Sequence, residues 1–172
     1  IQMPNMNGYE LCHKIKSTYE TSHIPIILLT ALSDKAQQLK GLGLGADDYI
    51  TKPFDVTLLQ QKIRTIIQNR EVARDKALKT INLNDECVQI YDNQLNEQFV
   101  KQMVEVVREN ISNSNFSKND FASKMNVSPS LLYKKVKSLT NQSPTDFIKS
   151  IRLDYSLTLL QSKKYSITEI SE

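Results

Sequence analysis

Two sets of residues in this sequence could do chemistry. The first is Thr30 with Lys52. Thr30 follows an unbroken apolar run, Ile26-Ile27-Leu28-Leu29, and Lys52 follows Asp47-Asp48-Tyr49-Ile50-Thr51. Both therefore stand at the carboxyl ends of expected strands, where open parallel sheets bind their ligands. A hydroxyl beside an ammonium can grip an anion. By position alone, each reads as an ordinary polar residue at a strand end. The second set is Ser130, Tyr133, Lys134 and Lys137. They share one side of an expected helix whose other side carries Leu132, Val136 and Leu139 at i, i+4 and i+7. Ammonium groups for phosphates and guanine edges, with a hydroxyl and a phenol for other contacts, suit a DNA groove. The plain alternative is a solvated lysine face.

Other chemistries find little support. Cys12 and Cys87 are far apart and in no CxxC pattern, so neither a disulfide framework nor a zinc site is expected. Cys12 falls on the apolar side of an expected helix and reads as a buried thiol. His13 and His23 have no clustered ligands around them. No nucleophile–base pair and no glycine-rich phosphate loop is present, and no enzymatic activity is expected.

The elements that must position these residues follow from pattern and punctuation. The 172 residues are enough for one large or two small domains, and a 40% hydrophobic content permits real cores. No apolar run approaches the ~18 residues of a membrane span. The chain opens on Ile1 rather than Met, the expectation for a fragment of a longer protein. Net charge is only +3, but residues 117–164 hold nine Lys/Arg against three acids, a local excess on a helical segment that favours a nucleic-acid partner.

Residues 1–79 read as helix (Tyr9–Ser17, with Leu11, Cys12 and Ile15 inward), strand, helix (Ser33 to about Leu42), strand, and a long helix opened by Asp55. This is the grammar of an open parallel α/β sheet. The run at Ile26–Leu29 has no alternation, as in a strand buried on both faces. Gly41, Gly43 and Gly45 predict a weak, mobile end to the second helix. In the long helix, Leu59, Ile63, Ile66, Arg70, Ala73 and Ala77 follow a 4-3-4-3-4 spacing, so 55–77 could dimerise as a short coiled coil. Residues 80–95 read as a polar linker with a brief strand at Val88–Ile90.

Residues 96–172 read as all-helical. Asn96 would cap a helix to about Ile111, carrying Phe99, Val100, Met103, Val107 and Ile111 inward. Ser117 with Asp120 at N3, and Phe116 with Phe121, have capping-box and staple spacing. After a break at Asn126-Val127, Ser128 caps a second helix with Pro129 at N1. Two such helices a few residues apart form a helix-turn-helix. Ser143 and Pro144 open a longer helix with Phe147, Ile148, Ile151, Tyr155 and Leu159 inward, and Ser166 with Glu169 begins another.

Within residues 1–70, MPNMNG, ILLTA and GADDYITKPF, in this order and spacing, resemble the receiver domain of two-component response regulators. The resemblance implies the C-terminal part of a flavodoxin-like open sheet. It makes Thr30 the signalling hydroxyl, Tyr49 the switch aromatic and Lys52 the phosphate-binding lysine, with Pro53 following a bond that is usually cis. The acceptor aspartate would lie immediately before Ile1, and the acidic pair that holds magnesium would lie upstream of it. Mg2+ is therefore an expectation for a complete receiver, no cofactor is expected within this fragment, and the polypeptide as written is expected not to be phosphorylatable. Residues 96–172, above all LLYKKVKSLTNQSPTDFIKSIRL, resemble the AraC-type DNA-binding domain, truncated in its second helix-turn-helix. That resemblance makes Ser130, Tyr133 and Lys134 base-facing and Lys137 a phosphate contact on double-stranded DNA.

Receiver followed by AraC-type domain resembles the end of a hybrid two-component regulator. The implied partner is a histidine kinase domain, potentially of the same parent chain. The implied setting is the cytoplasm, with no membrane contact by this segment. The reading is thus a fragment of a phosphorylation-controlled transcription regulator. The alternative is a dimerisation module acting through Leu59, Ile63 and Ile66, with a homodimer as its product.

Overall fold

In the computed structural model the described residues are 6–31, 41–81 and 93–171, without the side chains of 75–81 and 171. The chain divides into two units, one of residues 1–75 with 89–97 and one of 76–88 with 98–172.

The first unit begins with α1 (Gly8–Ser17). Asn7 caps it by accepting from the Tyr9 and Glu10 N–H groups, and the Glu10 carboxylate returns to the Asn7 N–H, so two orphan donors are satisfied at once. Of the expected apolar face only Cys12 is fully buried. Leu11 points to solvent and Ile15 is half-buried. Burial pushes the Cys12 thiol up, although the Lys16 charge pulls the other way, so it stays protonated and packs as a small hydrophobe.

Strands β1 (Ile27–Thr30) and β2 (Asp48–Thr51) pair in parallel, with Leu28 opposite Tyr49 and Thr30 opposite Thr51. The expectation of a strand buried on both faces is not met: Leu28 and Thr30 are buried while Leu29 is exposed. The reason lies in the packing. Cys12, Leu28 and Ala46, with Tyr9, Ile26 and Tyr49 against them, cover one face of the sheet, and the opposite face at Leu29 has no such cluster among the described residues.

The glycines also read differently in three dimensions. The helix expected from Ser33 to about Leu42 lies outside the described residues up to position 40, and residues 41–43 are helical. Gly41 is a packing residue, because a Cβ there would sit 2.7 Å from Leu28 Cδ1. Gly45 holds φ +90, a left-handed turn conformation that side-chain-bearing residues rarely adopt. Close approach and turn geometry account for these two positions.

Helix α2 (Val56–Ile81) follows Asp55, whose Oδ1 accepts from the Thr57 N–H at 2.6 Å. Leu59, Ile66, Arg70 and Ala73 are half-buried, Ile63 is exposed, and the Ala77 side chain lies outside the described residues. The expected seam is thus largely occupied within its own unit. Arg70 explains why a charge stands in it, since its guanidinium donates to the His23 carbonyl at 2.6 Å and to Asp47 at 2.8 Å. Exposed apolar positions on α2 are instead Val56, Leu58, Ile63, Ile67 and Val72.

Asp47 is the polar centre of this unit. It accepts from Lys16 Nζ at 2.6 Å, the Ile26 N–H at 2.7 Å and Arg70. Next to it, Lys62 Nζ bridges both oxygens of Asp48 at 2.8 and 2.7 Å.

Helix α3 (Gln94–Glu109) starts earlier than expected. The Asn93 side chain, not that of Asn96, accepts from the Leu95 N–H. Asn96 is buried and exchanges hydrogen bonds with Ser22, receiving from its hydroxyl at 2.9 Å and donating to its carbonyl at 3.3 Å. The expected linker therefore ends before residue 93, and its Val88–Ile90 strand lies outside the described residues.

In the second unit α3 buries Phe99, Val100, Met103, Val104, Val106 and Val107. It is followed by α4 (Lys118–Lys124), α5 (Pro129–Thr140), α6 (Pro144–Gln161) and α7 (Ile167–Ser171). Phe121 is fully buried between Phe116 (ring centroids 6.0 Å apart) and Phe147 (6.2 Å, stacked). Phe147, Ile148 and Ile151 face inward on α6 as expected. Tyr155 does not, being exposed, and Leu159 is half-buried. The described helices offer nothing for the far end of α6 to pack on beyond the short α7.

Candidate functional sites

The helical pair is set by its caps. Ser117 Oγ accepts from the Asn119 and Asp120 N–H groups, and Asp120 returns to the Ser117 N–H at 2.9 Å. The Ser117 hydroxyl beside Asp120 holds its carboxyl below the usual range, so this cap stays ionised. Asn126 adopts left-handed backbone (φ 55), which ends α4 and turns the chain. Ser128 Oγ then accepts from the Leu131 N–H to start α5, with Pro129 at its first position. Asn141, also left-handed (φ 59), ends it.

Inside this frame α5 divides its faces as expected. Leu132, Val136 and Leu139 are buried, while Ser130, Tyr133, Lys134 and Lys137 are all exposed. Ser130, Tyr133 and Lys134 line one groove of about 430 Å3, together with Lys118, Pro129, Leu132 and Pro144. Lys137 is not part of that lining; its Nζ donates to the Asn141 carbonyl at 2.8 Å, at the helix's own end.

Lys135 departs from the lysine face altogether. It is fully buried, with Nζ 4.6 Å from the centroid of the Phe99 ring. Nothing in the run Lys134-Lys135-Val136-Lys137 marks one lysine as inward except its helical position, three residues after Leu132.

In the first unit the strand pairing brings Thr30 and Lys52 to the same end of the sheet, where the Lys52 N–H donates to the Thr30 carbonyl at 2.6 Å. Thr30 is buried; Lys52 and Pro53 are exposed, and the bond between them is cis. Tyr49 is half-buried on the apolar cluster, with Lys62 Nζ 5.8 Å from its ring centroid. Among the described residues no three His, Cys, Asp or Glu side chains lie together. No helix of the described residues is long and apolar enough to cross a membrane.

Comparison with known proteins agrees with the first unit's geometry. Residues 1–64 match the family model of the response regulator receiver domain. Over 98% of its length the chain is 37% identical to "Histidine kinase P4" of Formosa agariphila, but it spans only 12% of that protein. It is 41% identical over 52% of its length to the "Probable transcriptional regulator ycf27" of Cyanophora paradoxa, spanning 35% of it. A transcriptional regulatory protein of Bacillus subtilis, YclJ, is 37% identical over 52% of the chain, which spans 38% of it. Residues 1–64, with their parallel pair of strands ending at Thr30 and Lys52, are thus similar to the receiver domain of the response regulators, and a mostly helical remainder follows.

Proposed function

We propose that the chain is part of a phosphorylation-controlled, sequence-specific DNA-binding transcription regulator of a two-component system. Its second unit is read as an AraC-type helix-turn-helix domain and its parent as a hybrid sensor. The observation that carries this reading is the capped α4–turn–α5 pair, which exposes Ser130, Tyr133 and Lys134 together while its apolar positions are buried. Those three contact base edges. In the receiver part, Thr30 and Lys52 grip a phosphoryl group, Tyr49 follows the Thr30 movement, and Pro53 shapes the loop. A histidine kinase domain supplies the phosphoryl group, Mg2+ belongs to the complete receiver, and the chain itself is not an enzyme.

Two relatives described as transcriptional regulators and one described as a histidine kinase support this combination. A second reading is an interaction module that dimerises through α2, supported by exposed Ile63 and Ile67. The two readings separate in one experiment. The chain is used to select duplexes from a random pool, and a selected duplex is titrated against wild type and Lys134→Ala. The DNA reading expects a consensus to emerge and Lys134→Ala to lose about 1–3 kcal/mol of specific affinity. A pool that stays random, or an unchanged affinity and base preference in the variant, contradicts it.

A further inference from the structure

The groove beside α5 has a composition that base reading alone does not require. Its lining combines apolar surface from Pro129, Leu132, Tyr133 and Pro144 with two cations, Lys118 and Lys134, and the Ser130 hydroxyl. Among the described residues neither ammonium forms an ion pair; the three recorded pairs all lie in the first unit. The groove is partly open to solvent.

Lys118 is the unexpected member. It occupies the first position of α4, where a cation opposes the helix dipole. Lysine there does not serve helix stability, and the residue is exposed, so it does not serve packing. Lys137, the lysine expected to meet phosphate, is instead held at the carbonyl of Asn141.

Resting on the DNA reading above, we propose that this groove seats one sugar–phosphate unit of the DNA backbone, with the deoxyribose on Pro129 and Pro144 and the phosphate on Lys118. Lys134 then turns toward the base edges from the same groove. Backbone contact through Lys118 fixes the register in which α5 reads, and carries no sequence information of its own. Charge complementarity selects this occupant: two cations outside any ion pair, in a lining shared with Pro129, Leu132, Tyr133 and Pro144, fit a phosphodiester and its sugar.

The test uses the full chain and a duplex selected by the wild type. Affinity is measured from 50 to 200 mM salt for wild type, Lys118→Ala, Lys118→Arg and Lys124→Ala. Lys124 is exposed on α4 and does not line the groove. The expected result is that Lys118→Ala lowers affinity several-fold on every sequence alike and reduces the salt slope by about one. Lys118→Arg keeps the wild-type slope, and Lys124→Ala changes neither affinity nor slope. Thermal melting of Lys118→Ala is expected to be unchanged or higher, which separates lost contact from lost fold. An unchanged slope in Lys118→Ala, or a changed base preference, overturns the proposal. So does saturable binding of free thymidine monophosphate that Lys118→Ala abolishes while the duplex slope stays put, since that assigns the groove to a small ligand. If the wild type selects no duplex, the DNA reading itself fails and takes the groove assignment with it; if it selects one and only the slope is unmoved, the groove assignment alone fails.

Discussion

Phe121→Ala is expected to destabilise the second unit by about 4 kcal/mol. Phe121 is fully buried on a seven-residue helix, and its ring is flanked by Phe116 and Phe147. One ring therefore joins the segment before α4, α4 itself and α6. Removing it costs the transfer free energy of the ring and leaves a cavity that two other aromatic rings must collapse into. So short a helix has little stability of its own, because helices under about 12 residues are marginal without tertiary packing. The loss therefore reaches the frame that presents Ser130, Tyr133 and Lys134. Urea unfolding followed by far-ultraviolet circular dichroism checks it. Phe121→Leu, which keeps most of the volume, should cost under about 1.5 kcal/mol. A loss for Phe121→Ala as small as that would mean the three rings do not act as a core.

The second large effect is expected at Asp47. Asp47→Ala removes the acceptor for Lys16, the Ile26 N–H and Arg70 together. The Lys16 side chain is only 9% exposed, so it is left as a nearly buried cation without its partner. Breaking a buried pair from one side costs about 3 kcal/mol, most of it the stranded charge rather than the pair's own worth. Adding Lys16→Met should then recover part of the loss, a coupling that a double-mutant cycle reads directly.

The same network sets a pH dependence. Burial alone would raise the Asp47 carboxyl, but hydrogen bonds from Lys16, Ile26 and Arg70 outweigh it and hold it below the usual carboxylate range. A carboxyl whose folded value is depressed contributes stability that is complete above its unfolded value. That contribution is lost as pH falls through the lower, folded value. The first unit should therefore weaken below about pH 4, and Asp47→Ala should flatten that limb of the curve. Equal acid sensitivity in wild type and variant would contradict this account.

What could be read from residues alone was what is decided locally. The caps at Ser117, Ser128, Ser143 and Ser166 depend on a few neighbouring residues, and all four are in place. The division of α5 into buried Leu132, Val136, Leu139 and exposed Ser130, Tyr133, Lys134 follows from helical period. The order of the strands and the meeting of Thr30 with Lys52 at one sheet end follow from two short strands of a parallel sheet, each closed by one of these residues.

What was misread depends on partners distant in sequence. Leu29 is exposed because, among the described residues, the cluster around Cys12 covers only the other face of the sheet. Lys135, on which no expectation was placed, is buried with its ammonium over the ring of Phe99, 36 positions earlier. Arg70 looked like a flaw in a coiled-coil seam until His23 and Asp47 explained it. Asn96 looked like a cap and is held by Ser22 instead. Lys118 carried no local signal at all; only the shape of the groove brings it beside Lys134.

The central claim is that the second unit reads duplex DNA through the exposed side of α5. The most direct test is a nuclear magnetic resonance titration of the isotope-labelled chain with a selected duplex, following backbone amides and lysine side chains. The account predicts that the largest shifts cluster on Lys118, Ser130, Tyr133 and Lys134, with Lys135 and α2 little changed. Shifts confined to Val56, Ile63 and Ile67, or no saturable shifts on α5, would contradict it.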